Sequence, residues 1–309
     1  MNMNSAKNII GRYAPSPSGI LHLGNMATSL LTWLDSKSAG GSIVLRMEDL
    51  DPERSSDAFA ARIARDLKYL GLDWDVGYPQ DEYSQKNRTA LYEDAFGILM
   101  RRDMLYPCYC SRSERLAASA PHPGEQHRDP GCKCRHLSRL EREELEARGR
   151  KPAWKVKVPD KRIYFVDGHY GKFEENLADG GDFIVKRSDG FFAYQLAVSF
   201  DDMDMGINRV VRGRDLLSST VRQIWLISEL GGSPPEYCHA PLLISGEKKM
   251  SKRSGELNME HLAAKFAPEE LIGYIARLLC LSDGSPITAN ELLRNFSWDK
   301  VHKDDINIV

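Results

Sequence analysis

Two apolar runs separated by one helix-length segment constrain this chain more than anything else in it. NIIGRYA (8–14) reads as a short strand carrying Arg12, and SIVLRM (42–47) reads as a buried strand closing on Glu48. Strands joined through a helix cannot form a hairpin, so they must pair in parallel as a βαβ unit. The helix is written in Met26, Leu30 and Leu34, with Ala27 and Leu31 beside them, and Gly40–Gly41 stops it. Ahead of it, Pro15, Pro17 and Gly19 force a tight, non-helical loop. His22, Gly24 and Asn25 therefore sit at a helix start, an end that presents free N–H groups and positive dipole to a phosphate. Taken alone, a histidine in that place has an ordinary structural use as well.

A chain of 309 residues can bury one large or two medium cores. With 42% hydrophobic and 28% charged residues it has a globular composition. No apolar run approaches the roughly 18 residues of a membrane span, so no membrane partner is expected. MNMNSAKN is not an apolar leader, which makes the cytoplasm the expected address. A net charge of −2 gives no general basic footprint, so a nucleic acid would have to be held by local Lys/Arg patches.

The alternation of strand and helix continues with DAFAARIARDLKYL (57–70), amphipathic through Phe59, Ile63, Leu67 and Leu70 and ended by Gly71. LDWDVGYPQDEYSQ reads as a loop, and a further helix spans about 86–102. Residues 106–136 break the pattern, with Pro, Gly, Cys and His and almost no apolar periodicity. Cys108, Cys110, Cys132 and Cys134 give Cys-x-Cys, a 21-residue loop and a second Cys-x-Cys, while Cys238 and Cys280 stand apart. In a cytosolic chain such a cluster favours metal over disulfides, and four thiolates fill the tetrahedral shell of a structural zinc. Uninvolved, reduced thiols are the alternative.

Residues 137–151 read as a highly charged, solvated helix. AWKVKVP, RIYFVDGHYGKFEENL and GDFIVKRSDGFFAYQLAVSFDDMDMGI read as β-rich, with a hairpin signal at Asp189–Gly190. INRVVRG (207–213) is a strand carrying Arg212, SSTVRQIWLISEL (218–230) a helix, and YCHAPLLI (237–244) a last strand. That strand delivers Lys249–Met250–Ser251–Lys252–Arg253, and from Gly255 the pattern is helical.

RYAPSPSG, HLGN and KMSKR, in this order and more than two hundred residues apart, resemble the two signature motifs of the class I aminoacyl-tRNA synthetases. HLGN stands for the family's HIGH, with Asn25 at the fourth position, and KMSKR for its KMSKS. RYAPSPSG and RMEDLDPER (46–54) narrow the resemblance to the glutamyl/glutaminyl branch. The resemblance implies an α/β fold: a Rossmann-type parallel sheet in two halves, 1–105 and 181–254, around an inserted zinc-stapled acceptor-binding-like domain, 106–180. A short helical C-terminus, 255–309, would follow.

It also implies a chemistry, in which a carboxylate attacks the α-phosphate of ATP, brought with Mg²⁺, and pyrophosphate leaves. His22, Gly24 and Lys252 would be the catalytic group, with Asn25, Lys249 and Ser251 completing the ATP site. The family's glutamate site falls on Arg12, Ala14, Ser16, Glu48, Tyr194 and Arg212. Arg12, Glu48, Tyr194 and Arg212 lie on or at the ends of expected strands, where open α/β sheets bind ligands. Arg12 and Arg212 could fork onto carboxylates, Glu48 take an ammonium and Tyr194 donate a hydroxyl. Two arginines favour glutamate over glutamine, since a neutral amide would strand a buried charge. Asp201–Asp202 resembles a family turn, structural or ribose-facing.

WLDSKSAGG, LYPCYCSR and FAYQLAVSFDD are similar to the truncated, glutamyl-queuosine branch of this family, and only 56 residues follow Arg253, too few for an anticodon-reading domain. That resemblance implies transfer of L-glutamate to the queuosine base of tRNA(Asp), by a monomer. In that branch the zinc site resembles Cys-x-Cys followed by a Tyr and one Cys, so Cys132 is the extra ligand here and His127 the reserve. A truncated glutamyl-tRNA synthetase charging another acceptor, or a non-catalytic RNA-binding remnant, are the other readings.

Overall fold

In a computed structural model the described residues are 8–111, 132–245, 248–249 and 257–308. β1 (Ile10–Tyr13), α1 (Leu23–Ser38) and β2 (Ser42–Leu45) form the expected unit, with β1 and β2 parallel and Arg12 opposite Val44. α1 buries Leu23, Met26, Leu30, Leu31 and Leu34 completely. At ~1.5–3 kcal/mol for each such side chain, packing alone holds this helix in place. Gly40, at φ +67°, turns the chain out of it.

α2 (Asp57–Tyr69) begins at Ser56, whose hydroxyl accepts from the Phe59 N–H at 3.2 Å. The segment read as a loop then supplies a third parallel strand, β3 (Val76–Gly77), on β2. Two residues carry no periodicity that a sequence reading could detect. Gly77, at φ +130°, lies so close to Leu45 that a Cβ would collide with its backbone.

Beyond α3 (Thr89–Arg101), β4 (Leu105–Cys108), β5 (Ala153–Val156) and β8 (Phe183–Lys186) build a separate antiparallel sheet, with α4 (Arg139–Ala147) beside its cysteine end. The hairpin of β6 (Arg162–Asp167) and β7 (Gly171–Asn176) goes elsewhere: β6 pairs in parallel with β10 (Glu236–Ala240), Asp167 facing Tyr237. Strand pairing thus crosses the segment limits drawn from the sequence.

FAYQLAVSFDD, read as β, is a helix, α5 (Tyr194–Asp204). Residues 196–202 are all buried, so the helix shows no polar face to betray its period. The Asp189–Gly190 turn exists, with Gly190 at φ +95°, but it makes only the Lys186–Phe192 bridge before the chain coils.

β9 (Arg209–Gly213) and α6 (Leu217–Glu229) follow, and β9 pairs in parallel with β10. β1 lies beside β9, where Ile10 N–H donates to Asn208 Oδ1 (2.8 Å) and Asn208 N–H to the Ile10 carbonyl (3.1 Å). The parallel strands therefore run β3-β2-β1-β9-β10-β6, and chain order reverses between β1 and β9. Ligands of open α/β sheets bind at such a reversal.

The run read as one last strand breaks at Pro241, which has no N–H to give a ladder. β11 (Leu243–Ser245) instead pairs with β12 (Lys248–Lys249) and, in parallel, with β13 (Ile306–Asn307), a strand unforeseen in the helical C-terminal region. α7 (Met259–Ala263), α8 (Pro268–Leu278) and α9 (Ala289–Leu293) pack Met259, Leu271, Ile275 and Leu292 into the core that holds α1. No described helix is long and apolar enough to cross a membrane.

Candidate active site

The crevice at the β1–β9 reversal holds a cavity of about 380 Å³. Arg12, Ala14, Ser16, His22, Gly24, Asn25, Glu48, Tyr194 and Arg212 all line it. Thr28, Thr32 and Asp215 line it too, and no motif singled them out. Ser251, Lys252 and His127 lie outside the described residues, and Lys249 is described only as backbone in β12.

At one end is the start of α1. His22 is its N-cap: Nδ1 accepts the Asn25 N–H at 3.3 Å, and Asn25 Oδ1 accepts the His22 N–H at 3.2 Å. Asn25, the departure from the family pattern, thereby closes a reciprocal capping box. With Nδ1 accepting, the neutral ring carries its proton on Nε2. A Cβ on Gly24 would stand 3.0 Å from His22 Cε1, so the glycine makes room for this imidazole. Asn258, just beyond the KMSKR segment, bridges the backbone of His22, and Met259 N–H donates to the Leu21 carbonyl at 2.8 Å. The exit of one signature is thus fastened to the other.

At the opposite end stand the charged groups. Arg12 is 5% exposed; Nη1 donates to the Val211 carbonyl at 2.9 Å and Nε lies 3.5 Å from Asp202 Oδ1. Its buried Nε–H has no hydrogen-bond acceptor among the described residues. Glu48 Oε1 accepts from Arg46 Nη2 at 3.1 Å. Burial raises the Glu48 carboxyl above its ordinary range, against the pull of Arg46 and Arg12. Tyr194 enters as the first residue of α5 rather than from a strand end. Burial pushes its hydroxyl up to about 12, so it remains a donor.

Arg212 cannot fork as expected, because most of its donors are spent. Nε–H donates to His239 Nε2 (3.1 Å), Nη1 to Gln223 Oε1 (2.6 Å), and Nη2 to Thr220 Oγ1 (2.8 Å) and the Leu216 carbonyl (3.3 Å). Of the five N–H groups of a guanidinium, one is left for a ligand, together with the full charge.

Asp201 and Asp202, read as a turn, are interior residues of α5 with 0% and 1% exposure. Asp202 receives Arg46 Nη1 at 2.7 Å, and Asp201 receives Arg88 Nε at 2.8 Å, Gln85 Nε2 at 2.7 Å and the Tyr92 hydroxyl at 2.9 Å. Although burial works the other way, Arg46 and Arg12 hold the Asp202 carboxyl below its usual range. Asp202 thereby braces Arg12 directly and Glu48 through Arg46, two residues of the cavity lining. The signal for both aspartates was Arg46 itself, since a charge inside a buried strand demands an ionic partner.

The four cysteines form a second cluster. Sγ of Cys108, Cys110, Cys132 and Cys134 all lie within 4.8 Å of one another, with Cys108–Cys132 at 3.4 Å and Cys110–Cys134 at 3.6 Å. A tetrahedron of Zn–S bonds has edges of about 3.8 Å, so the donor set fits that ion. Burial pushes the Cys108 thiol up to about 11 and raises Cys110 as well, which disfavours bare thiolates unless a cation compensates them.

Residues 8–306 match the family model described as "tRNA synthetases class I (E and Q), catalytic domain". A "Glutamyl-Q tRNA(Asp) synthetase" of Symbiobacterium thermophilum is 43% identical over 310 residues, covering 97% of this chain and 96% of that protein. "Glutamate--tRNA ligase 2" of Syntrophus aciditrophicus is 38% identical over 97% of this chain, which spans 64% of that longer protein. Among solved structures, a glutamate tRNA ligase from Elizabethkingia meningosepticum in complex with its amino acid superposes with a TM-score of 0.81. The identity there is 25%, over 98% of this chain and 67% of that one.

Proposed function

This chain belongs to the class I aminoacyl-tRNA synthetase-like ligases of the glutamyl and glutaminyl type, and from that premise we propose that it activates L-glutamate with ATP and transfers the glutamyl group to queuosine at the wobble position of tRNA(Asp). The observation that carries the glutamate half is that one cavity is lined together by Arg12, Glu48, Tyr194 and Arg212. A substrate with two carboxylates and one ammonium satisfies all four: Arg12 and Arg212 take the acids, Glu48 the ammonium, and Tyr194 donates its hydroxyl. The near full-length likeness to a protein named for Glutamyl-Q tRNA(Asp) supports the acceptor.

The first step joins the α-carboxylate of glutamate to the α-phosphorus of ATP and releases pyrophosphate. Little covalent work falls to the protein, which positions reactants and stabilises spreading phosphate charge. The N-terminal N–H groups of α1 and the Nε2–H of His22 suit that charge, and Lys249, Ser251 and Lys252 would serve the leaving phosphates. Mg²⁺ arriving with ATP would neutralise part of the phosphate charge. In the second step a hydroxyl of the queuosine ring attacks the activated carbonyl, and AMP departs. A structural zinc on Cys108, Cys110, Cys132 and Cys134 would staple the sheet of β4, β5 and β8.

The test is transfer of labelled glutamate, with ATP and Mg²⁺, to tRNA(Asp) with and without queuosine, and to tRNA(Glu). Label on queuosine-bearing tRNA(Asp) alone is the expected result. Label on tRNA(Glu) would overturn the acceptor and leave a glutamate–tRNA ligase, and absence of glutamate-dependent pyrophosphate exchange would overturn the activity itself.

A further inference from the structure

Asp167, His239 and Arg212 lie on three neighbouring strands, β6, β10 and β9, with His239 directly opposite Arg212 in the ladder. Asp167 and His239 are both 0% exposed, and His239 Nδ1 stands 2.5 Å from Asp167 Oδ2. Neither has a place in the adenylation chemistry, and neither belongs to a family motif used above. We propose that Asp167 and His239 are positioning residues: they fix one imidazole tautomer, and through it the direction in which Arg212 presents its remaining N–H to the substrate carboxylate. This rests on the reading of Arg212 as a glutamate-binding group.

The fixed donors around Asp167 and His239 leave one arrangement, since the Thr220 hydroxyl, 3.3 Å from His239 Nε2, can turn to donate or accept. Besides the imidazole, the Asp167 carboxylate accepts the backbone N–H groups of His169 (3.0 Å), Tyr170 (2.9 Å) and His239 (3.1 Å). Ringed by donors, it can only accept from the imidazole, so the proton sits on Nδ1 and Nε2 keeps its lone pair. The Arg212 Nε–H, 3.1 Å from that lone pair, can only donate. The two ends match in one tautomer and clash in the other. Burial also lowers the His239 pKa, and Arg212 and Arg12 oppose its protonation, while Asp167 favours it. The Tyr237 ring backs the arrangement, 5.0 Å from the Arg212 guanidinium carbon and stacked on His239 at 12°. This also gives a use to the parallel attachment of the β6–β7 hairpin, which brings Asp167 to the main sheet.

Asp167→Asn would place an amide N–H among donors and allow the ring to carry its proton on Nε2, facing the Arg212 Nε–H. In the full-length protein we expect KM for glutamate to rise about 10-fold or more, as for a lost charge-assisted hydrogen bond, with KM for ATP within about two-fold in pyrophosphate exchange. His239→Gln, whose amide oxygen can receive the Arg212 Nε–H, should retain more glutamate affinity than His239→Leu. Should the variants fold poorly, ¹⁵N-histidine NMR of the unmodified protein reads the His239 tautomer directly. A proton on Nε2, or equal rises in both KM values alongside a lower Tm, would overturn the proposal. Unmodified protein with no glutamate-dependent exchange would instead overturn the glutamate reading.

Discussion

Arg46 Nη1 and Asp202 Oδ1 lie 2.7 Å apart, with side-chain exposures of 0% and 1%, against the cavity-lining Glu48 and Arg12. The pair joins β2 to α5, and Arg12 and Glu48 hang from its two sides. Removing one partner leaves an uncompensated buried charge, so Asp202→Ala should cost about 3–5 kcal/mol. Thermal and denaturant unfolding measure this. The double variant Arg46→Met, Asp202→Leu should cost less than the sum of the single changes, because both charges leave together.

Glu48→Gln removes the anion proposed for the substrate ammonium while keeping its shape. The expected outcome is a rise of about 10- to 100-fold in KM for glutamate, the value of a charge-assisted hydrogen bond, with KM for ATP unchanged. Equal losses for both substrates would assign Glu48 to holding Arg46 only.

Asp66 on α2 gives a pH dependence with a definite sign. Burial raises its carboxyl to about 6, with Arg62 opposing, and its Oδ2 has no hydrogen-bond partner among the described residues. The folded state therefore holds this proton more tightly than the unfolded chain, whose value is about 3.9. Ionised Asp66 costs stability above pH 6, and that cost shrinks as pH falls from about 6 to 4. Asp66→Asn should stabilise the protein at pH 7 by about 1–2 kcal/mol after screening and flatten the stability profile across that window.

Metal analysis should find one zinc per chain, and Cys108→Ser should lower it. Because the thiols sit on β4 and around residues 132–134, the loss should loosen that sheet, read as faster proteolysis there. The α1 core shares no residue with the cysteine cluster and should keep its cooperative melt. Full zinc occupancy in the variant would remove Cys108 from the ligand set.

Much of the site was legible because its residues sit in strings that pattern and chemistry mark together. The loop after β1, the cap at His22 and the strand ending near Glu48 are local, so spacing alone orders them. Tyr194 lines the cavity from a helix where the sequence suggests a strand, since α5 is buried over residues 196–202 and lacks the polar face that reveals a helix. Arg212 lines the cavity too, but its spent donors leave no mark in the sequence, because Thr220 and Gln223 on α6 and His239 on β10 reach it only through the tertiary fold. β3 and β13, of two residues each, hold too little sequence to carry a signal.

The bridge between His22 and Asn258 also sets a limit on distance. β12 fastens Lys249 on one side and the bridge fastens Asn258 on the other. Lys252 is three residues from Lys249, so chain length alone keeps their Cα atoms within about 11 Å. If Lys252 serves the leaving phosphates as proposed, such a tether would present it to them at an effective concentration in the millimolar range of short linkers. On that proposal its own affinity for them could stay weak enough to let pyrophosphate go, and residues inserted between Arg253 and Asn258 are expected to lower turnover, read as the rate of pyrophosphate exchange.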